Sequence, residues 1–351
     1  MKLRHSLFQA GSRIVEVTSA DRWLTPLTRG FGVILTFHHV RPRREQDFAP
    51  HRYLEVTPES LERVIILTRR LGFETISLDE IPYRMTKRSS PPFVAFTFDD
   101  GYRDNLEHAA PVLSKHGVPW TMFVTAAFAD GNGRLWWLEL QEAIARLEHI
   151  DSAVSGLPFD LPLRTTGQKQ HAFNIIYRYL LAGQQGPLLR AVSRLTDAAK
   201  FDSSTLVRDL CLSWDDLRAL SYSQSVTIGA HTLAHPRLSG LMSHDAAQEI
   251  GESRRVIEER LNVEVRHFAF PYGGADTAGP REFALARAAN FHTALTTRPD
   301  HVRPKHVDCL HALPRVQISG LFQNDAAFKT VLSGVPFVRL TRSRRATRDP
   351  A

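Results

Sequence analysis

The chain has 351 residues, with 44 Lys+Arg against 37 Asp+Glu, 43% hydrophobic residues, 20 Gly, 20 Pro and 2 Cys. That composition excludes collagen-like, coiled-coil and largely disordered classes, and the length suits two domains or one large barrel with an insertion. The formal charge of +7 sits mostly in Arg339, Arg342, Arg344, Arg345 and Arg348, so it describes a basic tail rather than a nucleic-acid-reading domain.

Residues 1–30 read as an N-terminal extension. Short β-branched or aromatic runs then alternate with helical patterns, the signature of βα units and a parallel sheet or barrel. The runs are 33–37, 74–77, 93–98, 121–124, 226–230, 267–270, 292–296 and 314–318, enough strands to close a barrel. Thr57 followed by Pro58 predicts a capped helix start, with Leu61, Val64, Ile65 and Leu71 as its buried stripe. Residues 128–212 break the rhythm with helical stretches near 138–147 and 171–181, which we read as an insertion of helices without strands that caps one barrel spanning 31–335. Ser213-Trp214-Asp215-Asp216 resembles a capping box, and Ser243 opens a long helix whose Ile250, Ile257 and Leu261 recur at helical spacing. Residues 336–351 form the basic tail, for which loose contact with an anionic membrane surface is expected and specific nucleic-acid binding is not. Cys211 and Cys309 read as packing residues, since nothing pairs them at metal or disulfide spacing. No apolar run approaches the roughly 18 residues of a membrane span, and Met1 to His5 leads into no apolar signal core, so a cytoplasmic location is expected.

Two segments carry chemistry. Phe96-Thr97-Phe98-Asp99-Asp100-Gly101 puts adjacent carboxylates where an apolar strand ends in a glycine turn, the place where parallel barrels gather catalytic groups. Two like charges so close call for a cation; alone, the pair reads better as a turn with one carboxylate capping the next helix. His231-Thr232-Leu233-Ala234-His235-Pro236 follows the run 226–230, and Pro236 disfavours a helix at His235, so the pair sits in a strand-end turn. With Asp100, the two imidazoles offer two nitrogens and one oxygen with positions left open, as in a catalytic zinc site.

On these motifs the sequence resembles the polysaccharide deacetylases that share the NodB homology domain, carbohydrate esterase family four. The carriers are TFDDGY at Thr97 to Tyr102, HTLAHP at His231 to Pro236 and FPYGG at Phe270 to Gly274. The resemblance implies an α/β fold, a distorted (β/α)7 barrel with a helical insertion. It also implies metal-dependent hydrolysis of the acetamide of N-acetylated sugars of the N-acetylglucosamine type, a carbon–nitrogen bond outside peptides. Carried over residue by residue, Asp100, His231 and His235 hold a divalent metal, Zn²⁺ first among the candidates. Asp99 is the general base, and the backbone N–H of Tyr272 helps hold the oxyanion.

The chain departs from the family pattern twice. The third motif usually begins with arginine, but Ala269 stands there, so Arg315 or Arg103 is expected to orient Asp99 instead. The general acid, usually a histidine on a C-terminal strand, is expected at His38, then His39, then His311. The run ending at His38 resembles the permuted branch that places the histidine strand at the N-terminus. Trp136-Trp137 reads as a sugar-stacking wall or as packing of the cap, Tyr102 and Tyr272 as substrate contacts, and Gly273-Gly274 as a flexible turn. The expected substrate is an N-acetylated oligosaccharide or glycan precursor. The alternative is a catalytically impaired carbohydrate-binding protein on the same barrel, motivated by Ala269.

Overall fold

The computed structural model describes Thr25 and residues 28–87 and 90–338; the expectations for the first 24 residues and for the arginines from 339 onward lie outside the described residues. One eight-stranded sheet runs through β1 (Gly32–Phe37), β2 (Glu74–Thr75), β3 (Phe93–Phe98), β4 (Trp120–Val124), β5 (Val226–Ala230), β6 (His267–Ala269), β7 (Thr293–Leu295) and β8 (Val316–Gln317). The order is β7-β6-β5-β4-β3-β1-β8, every pairing is parallel, and a bridge from Leu295 to Leu313 returns the last strand to β7. The fold is therefore a (β/α)7 barrel. Its distortion lies at this seam, where Leu313 pairs with β7 while Val316 and Gln317 pair with β1. β2 stands off the ring, paired with Phe93 and Val94 on the edge of β3 that β4 takes over from Phe96.

Every residue of β1 and β3 is buried, as parallel strands covered on both faces require. Side chains alternate strictly. Ile34, Ala95, Phe123, Ala269, Leu295 and Leu313 form one inner cluster. Val33, Leu35, Phe37, Val94, Phe96, Phe98 and Phe268 join the outer one beneath the helices. A strand's period of two then decides what faces the mouth: His38 continues the side of Ile34, Asp99 that of Ala95, and Arg315 that of Leu313.

The helix α1 (Pro58–Arg70) begins where expected, with Thr57 Oγ1 accepting from the Ser60 N–H at 3.2 Å and Leu61, Val64 and Ile65 buried against the barrel. The excursion between β4 and β5 holds α2 (Trp136–Arg146), α3 (Thr166–Ala182) and α4 (Gln185–Ala198) around a core of its own that includes Leu140, Ile144, Phe173, Ile176 and Leu195. It also contains a short antiparallel ladder, His149–Ile150 with Leu161–Pro162, where only helices were expected. Beyond it, α5 (Trp214–Ser221) has the Ser213–Asp216 capping box, and α6 (Ser243–Leu261) starts at Ser243, with Met242 before it making no side-chain cap. Cys211 is buried; Cys309, expected to pack, is exposed because it lies in the turn between two short 3-10 segments. Among the described residues no helix is long and apolar enough to cross a membrane.

Candidate active site at the barrel mouth

The three motifs converge because each follows a strand on the same end of the barrel: Asp99 and Asp100 after β3, His231 after β5 and Tyr272 after β6. The chain turns there under strain. Asp100, Thr232, His235 and Tyr272 all have left-handed backbone, with φ of 70°, 69°, 58° and 62°. Such conformations cost about 1–3 kcal/mol each for non-glycine residues and concentrate at sites where side-chain aim matters. Gly101 extends the turn at φ 67° with open space around it, so conformation rather than crowding demands glycine. At the third motif the Gly273 N–H donates to the Pro271 carbonyl at 2.7 Å across Tyr272, the rarer and strained form of the γ-turn. A Cβ on Gly273 would come within 2.6 Å of the Thr297 nitrogen, so this turn, expected to be flexible, is tightly fixed.

Asp100, His231 and His235 each offer a ligand atom within 4.8 Å of the others, and all three are buried. Asp100 Oδ1 lies 3.4 Å from His231 Nε2 and 3.3 Å from His235 Nε2, yet it accepts no hydrogen bond. His231 Nδ1 donates to the Ala269 carbonyl at 2.7 Å, which assigns the ring proton to Nδ1 and leaves Nε2 a lone pair. A bare carboxylate oxygen facing imidazole nitrogens, in a site of φ-strained turns, fits a divalent cation with room for further ligands. Glu249 on α6 secures the loop between the histidines, its Oε2 accepting from the Leu233 and Ala234 N–H groups at 2.9 and 3.0 Å. Sequence reasoning had not singled out Glu249; its only signal was a carboxylate beside the buried Ile250.

Arg315 is the arginine that reaches Asp99. Its Nη1 and Nη2 donate to Asp99 Oδ1 and Oδ2 at 2.6 and 2.7 Å, while Nε donates to the Thr296 carbonyl and Nη1 also to Thr97 Oγ1, each at 3.2 Å. The guanidinium is fully buried and each of its three nitrogens makes a hydrogen bond, the condition under which a buried ion pair is tolerated. Burial, the largest influence, pushes the Asp99 carboxyl up, but the Arg315 charge with His231 and His38 outweighs it and holds the carboxyl below its usual range. Ala269 joins the inner cluster and lends only its carbonyl, so the closing strand supplies the cation that the third motif lacks. Arg103, the other candidate, points away, pairing with Asp216 at 3.1 Å and donating to the Cys211 carbonyl.

Of the three histidines considered as acid, His38 lines the cleft; its Nδ1 has no hydrogen-bond partner, and Asn105 anchors its carbonyl at 2.9 Å. Burial is the main influence on its ring and lowers the pKa, against the opposing pull of Asp100 and Asp99. His39, on the opposite strand parity, turns outward to Asp104 at 2.7 Å and stacks on Tyr102 at 3.7 Å. His311 bonds the Phe291 carbonyl, ahead of β7 and away from the strand ends that form the mouth. Tyr102, expected to touch substrate, is 1% exposed and absent from the cleft lining because its ring packs on His39.

The cleft above these groups has a volume of about 370 Å³, within the usual range for small-molecule sites. Trp137 and Tyr177 from the insertion, with His51 and Tyr53, wall one part of it; Thr297, Asp276 and Gln317 line another. Trp137 packs on His235 at 4.9 Å, and Trp136 donates from Nε1 to the Tyr272 hydroxyl at 2.9 Å, so the insertion is bonded into the mouth. His51 had gone unnoticed in the sequence, since no strand or motif precedes it.

Against known proteins, residues 86–283, more than half of the chain, match the family model "Polysaccharide deacetylase". YxkH, a Bacillus subtilis (strain 168) protein described as a polysaccharide deacetylase, is 42% identical over 55 residues, spanning 15% of this chain and 20% of that relative's length. IcaB from Ammonifex degensii aligns with a TM-score of 0.55 at 17% identity, covering 87% of this chain and 98% of that one. The Streptococcus pyogenes deacetylase PplD, solved in complex with acetate, aligns at 0.54 and 15% identity over 82% and 92%. With its motifs gathered at one barrel mouth and the family model spanning β3 to α6 and beyond, the chain belongs to the polysaccharide deacetylase family.

Proposed function

We propose that this chain is a carbohydrate N-deacetylase, hydrolysing the acetamide of N-acetylated sugars in an oligosaccharide or glycan precursor to free amine and acetate. The observation that carries the reading is the pairing, at one mouth, of an Arg315-clamped Asp99 with a bare Asp100 oxygen faced by two imidazole nitrogens. Asp100, His231 and His235 would hold a divalent ion, Zn²⁺ first for a two-nitrogen, one-oxygen donor set, whose chemistry when bound is Lewis-acid polarisation of the acetamide carbonyl.

The chain's own residues do the rest. Asp99, kept ionised by Arg315, takes a proton from the attacking water at a carboxylate oxygen. The Tyr272 backbone N–H, held by its γ-turn, would donate to the charge that develops on the carbonyl oxygen. The amine nitrogen needs a proton before it leaves, and His38, which lines the same cleft, supplies it. His38→Ala is therefore expected to lower turnover by about 10²- to 10⁴-fold, the range of a positioned acid, without changing bound metal. Loss of metal in that variant would make His38 a ligand instead.

The reading is tested by measuring acetate release from N-acetylglucosamine oligomers with and without a chelator. Release that the chelator stops supports it. Oligomer binding with no acetate would favour the carbohydrate-binding alternative, and faster release from an O-acetylated sugar would make the protein an esterase.

A further inference from the structure

His51 is a polar side chain of the cleft that the hydrolytic arrangement leaves unused. It is 5% exposed, it lines the same cleft as Asp99, Asp100 and the motif histidines, and among the described residues none hydrogen-bonds either ring nitrogen. The Trp137 backbone lies near but outside hydrogen-bonding geometry. Its other neighbours are aromatic: Phe173 at 5.1 Å, Tyr177 at 6.0 Å and Tyr53 at 6.2 Å between ring centroids. A buried polar group left without a partner costs about 1–3 kcal/mol, so an imidazole kept bare among aromatic rings at a cleft wall is suited to a partner that arrives with the ligand.

We propose that His51 binds a hydroxyl of a glycan ring lying against Tyr177 and Trp137, so that this part of the cleft selects an uncharged sugar over an anionic one. The inference rests on the glycan reading of the site and names what the site prefers. Burial, reinforced by His39, lowers the pKa of His51 to about 3, so the ring is neutral at physiological pH. A neutral imidazole carries one N–H donor and one bare nitrogen, which match a hydroxyl that both accepts and donates. A carboxylate or sulfate can only accept from the N–H and has no proton to give the bare nitrogen, which stays without a partner. Tyr177, stacked on Trp136 at 5.0 Å and on Phe173 at 5.6 Å, supplies a rigid apolar wall beside it.

The test measures calorimetric binding of an N-acetylglucosamine tetramer to the full chain loaded with zinc, for wild type, His51→Phe, His51→Ala and His51→Asn. The expected result is binding about tenfold weaker in the Phe and Ala variants, partly recovered in Asn, which keeps a donor and an acceptor. The turnover number at saturation should stay within about threefold and the change should appear in KM, as loss of uniform binding predicts. His51→Phe should unfold at an equal or higher urea concentration than wild type, because an unpartnered buried polar ring is replaced by an apolar one; a packing role would move it the other way. A hyaluronan tetrasaccharide, which alternates N-acetylglucosamine with a carboxylate-bearing sugar, should bind wild type at least tenfold more weakly. Tetramer affinity unchanged in Phe and Ala, equal affinity for hyaluronan, or no tetramer binding by wild type each overturns the proposal. Tetramer binding without acetate release would overturn the deacetylase reading alone, with His51 still judged on the affinities of its variants.

Discussion

Arg315→Ala is expected to lower both stability and turnover. The guanidinium is 0% exposed and bonds both oxygens of Asp99, which is itself 2% exposed. Removing one partner of such a pair leaves a buried charge uncompensated, at about 3–5 kcal/mol. A urea titration should show this as a lower midpoint with unchanged slope. Turnover should fall by about 10²-fold, the lower end of what a positioned base contributes, because Asp99 loses the clamp that aims it. Arg315→Lys should recover part of the stability and little of the rate, since an ammonium cannot bond both carboxylate oxygens in parallel. Bound metal should not change, for Asp100, His231 and His235 are untouched. Full turnover in Arg315→Ala would remove the idea that the closing strand replaces the motif arginine.

Asp100→Asn should abolish the metal site while sparing the fold. Asp100 sits at φ 70°, a conformation that asparagine adopts as readily as aspartate, so the turn survives the change. What is lost is the one carboxylate of the proposed donor set, whose other members are two imidazoles. Removing residues that merely support ligands typically lowers affinity 10- to 100-fold, so loss of a ligand itself should exceed about 100-fold. Zinc titration against a chromophoric competitor reads this directly, and acetate release should fall in parallel. Near-normal zinc affinity in Asp100→Asn would place the cation elsewhere and undo the proposed chemistry.

The strands and the motifs were legible in the sequence because apolar runs and the turns that end them are local. Once 33–37 is read as a strand, parity separates His38 from His39, whereas the shared inner side of His38, Asp99 and Arg315 is seen only in the packed clusters. Pro236 and the glycine after Asp100 likewise announced strand-end turns, and the structure holds those turns at positive φ.

Other features were decided only when distant segments met. Whether Arg315 or Arg103 reaches Asp99 depends on how the last strand closes the ring, through one bridge to β7 and a pairing with β1, and no local pattern encodes that seam. The burial of Tyr102 under His39, the docking of Trp136 on Tyr272 and the bare ring of His51 are contacts between segments far apart in the chain. Periodicity and capping act over a few residues and so can be read from the chain. Which side chains end without a partner depends on the whole packing, and only the tertiary structure decides it.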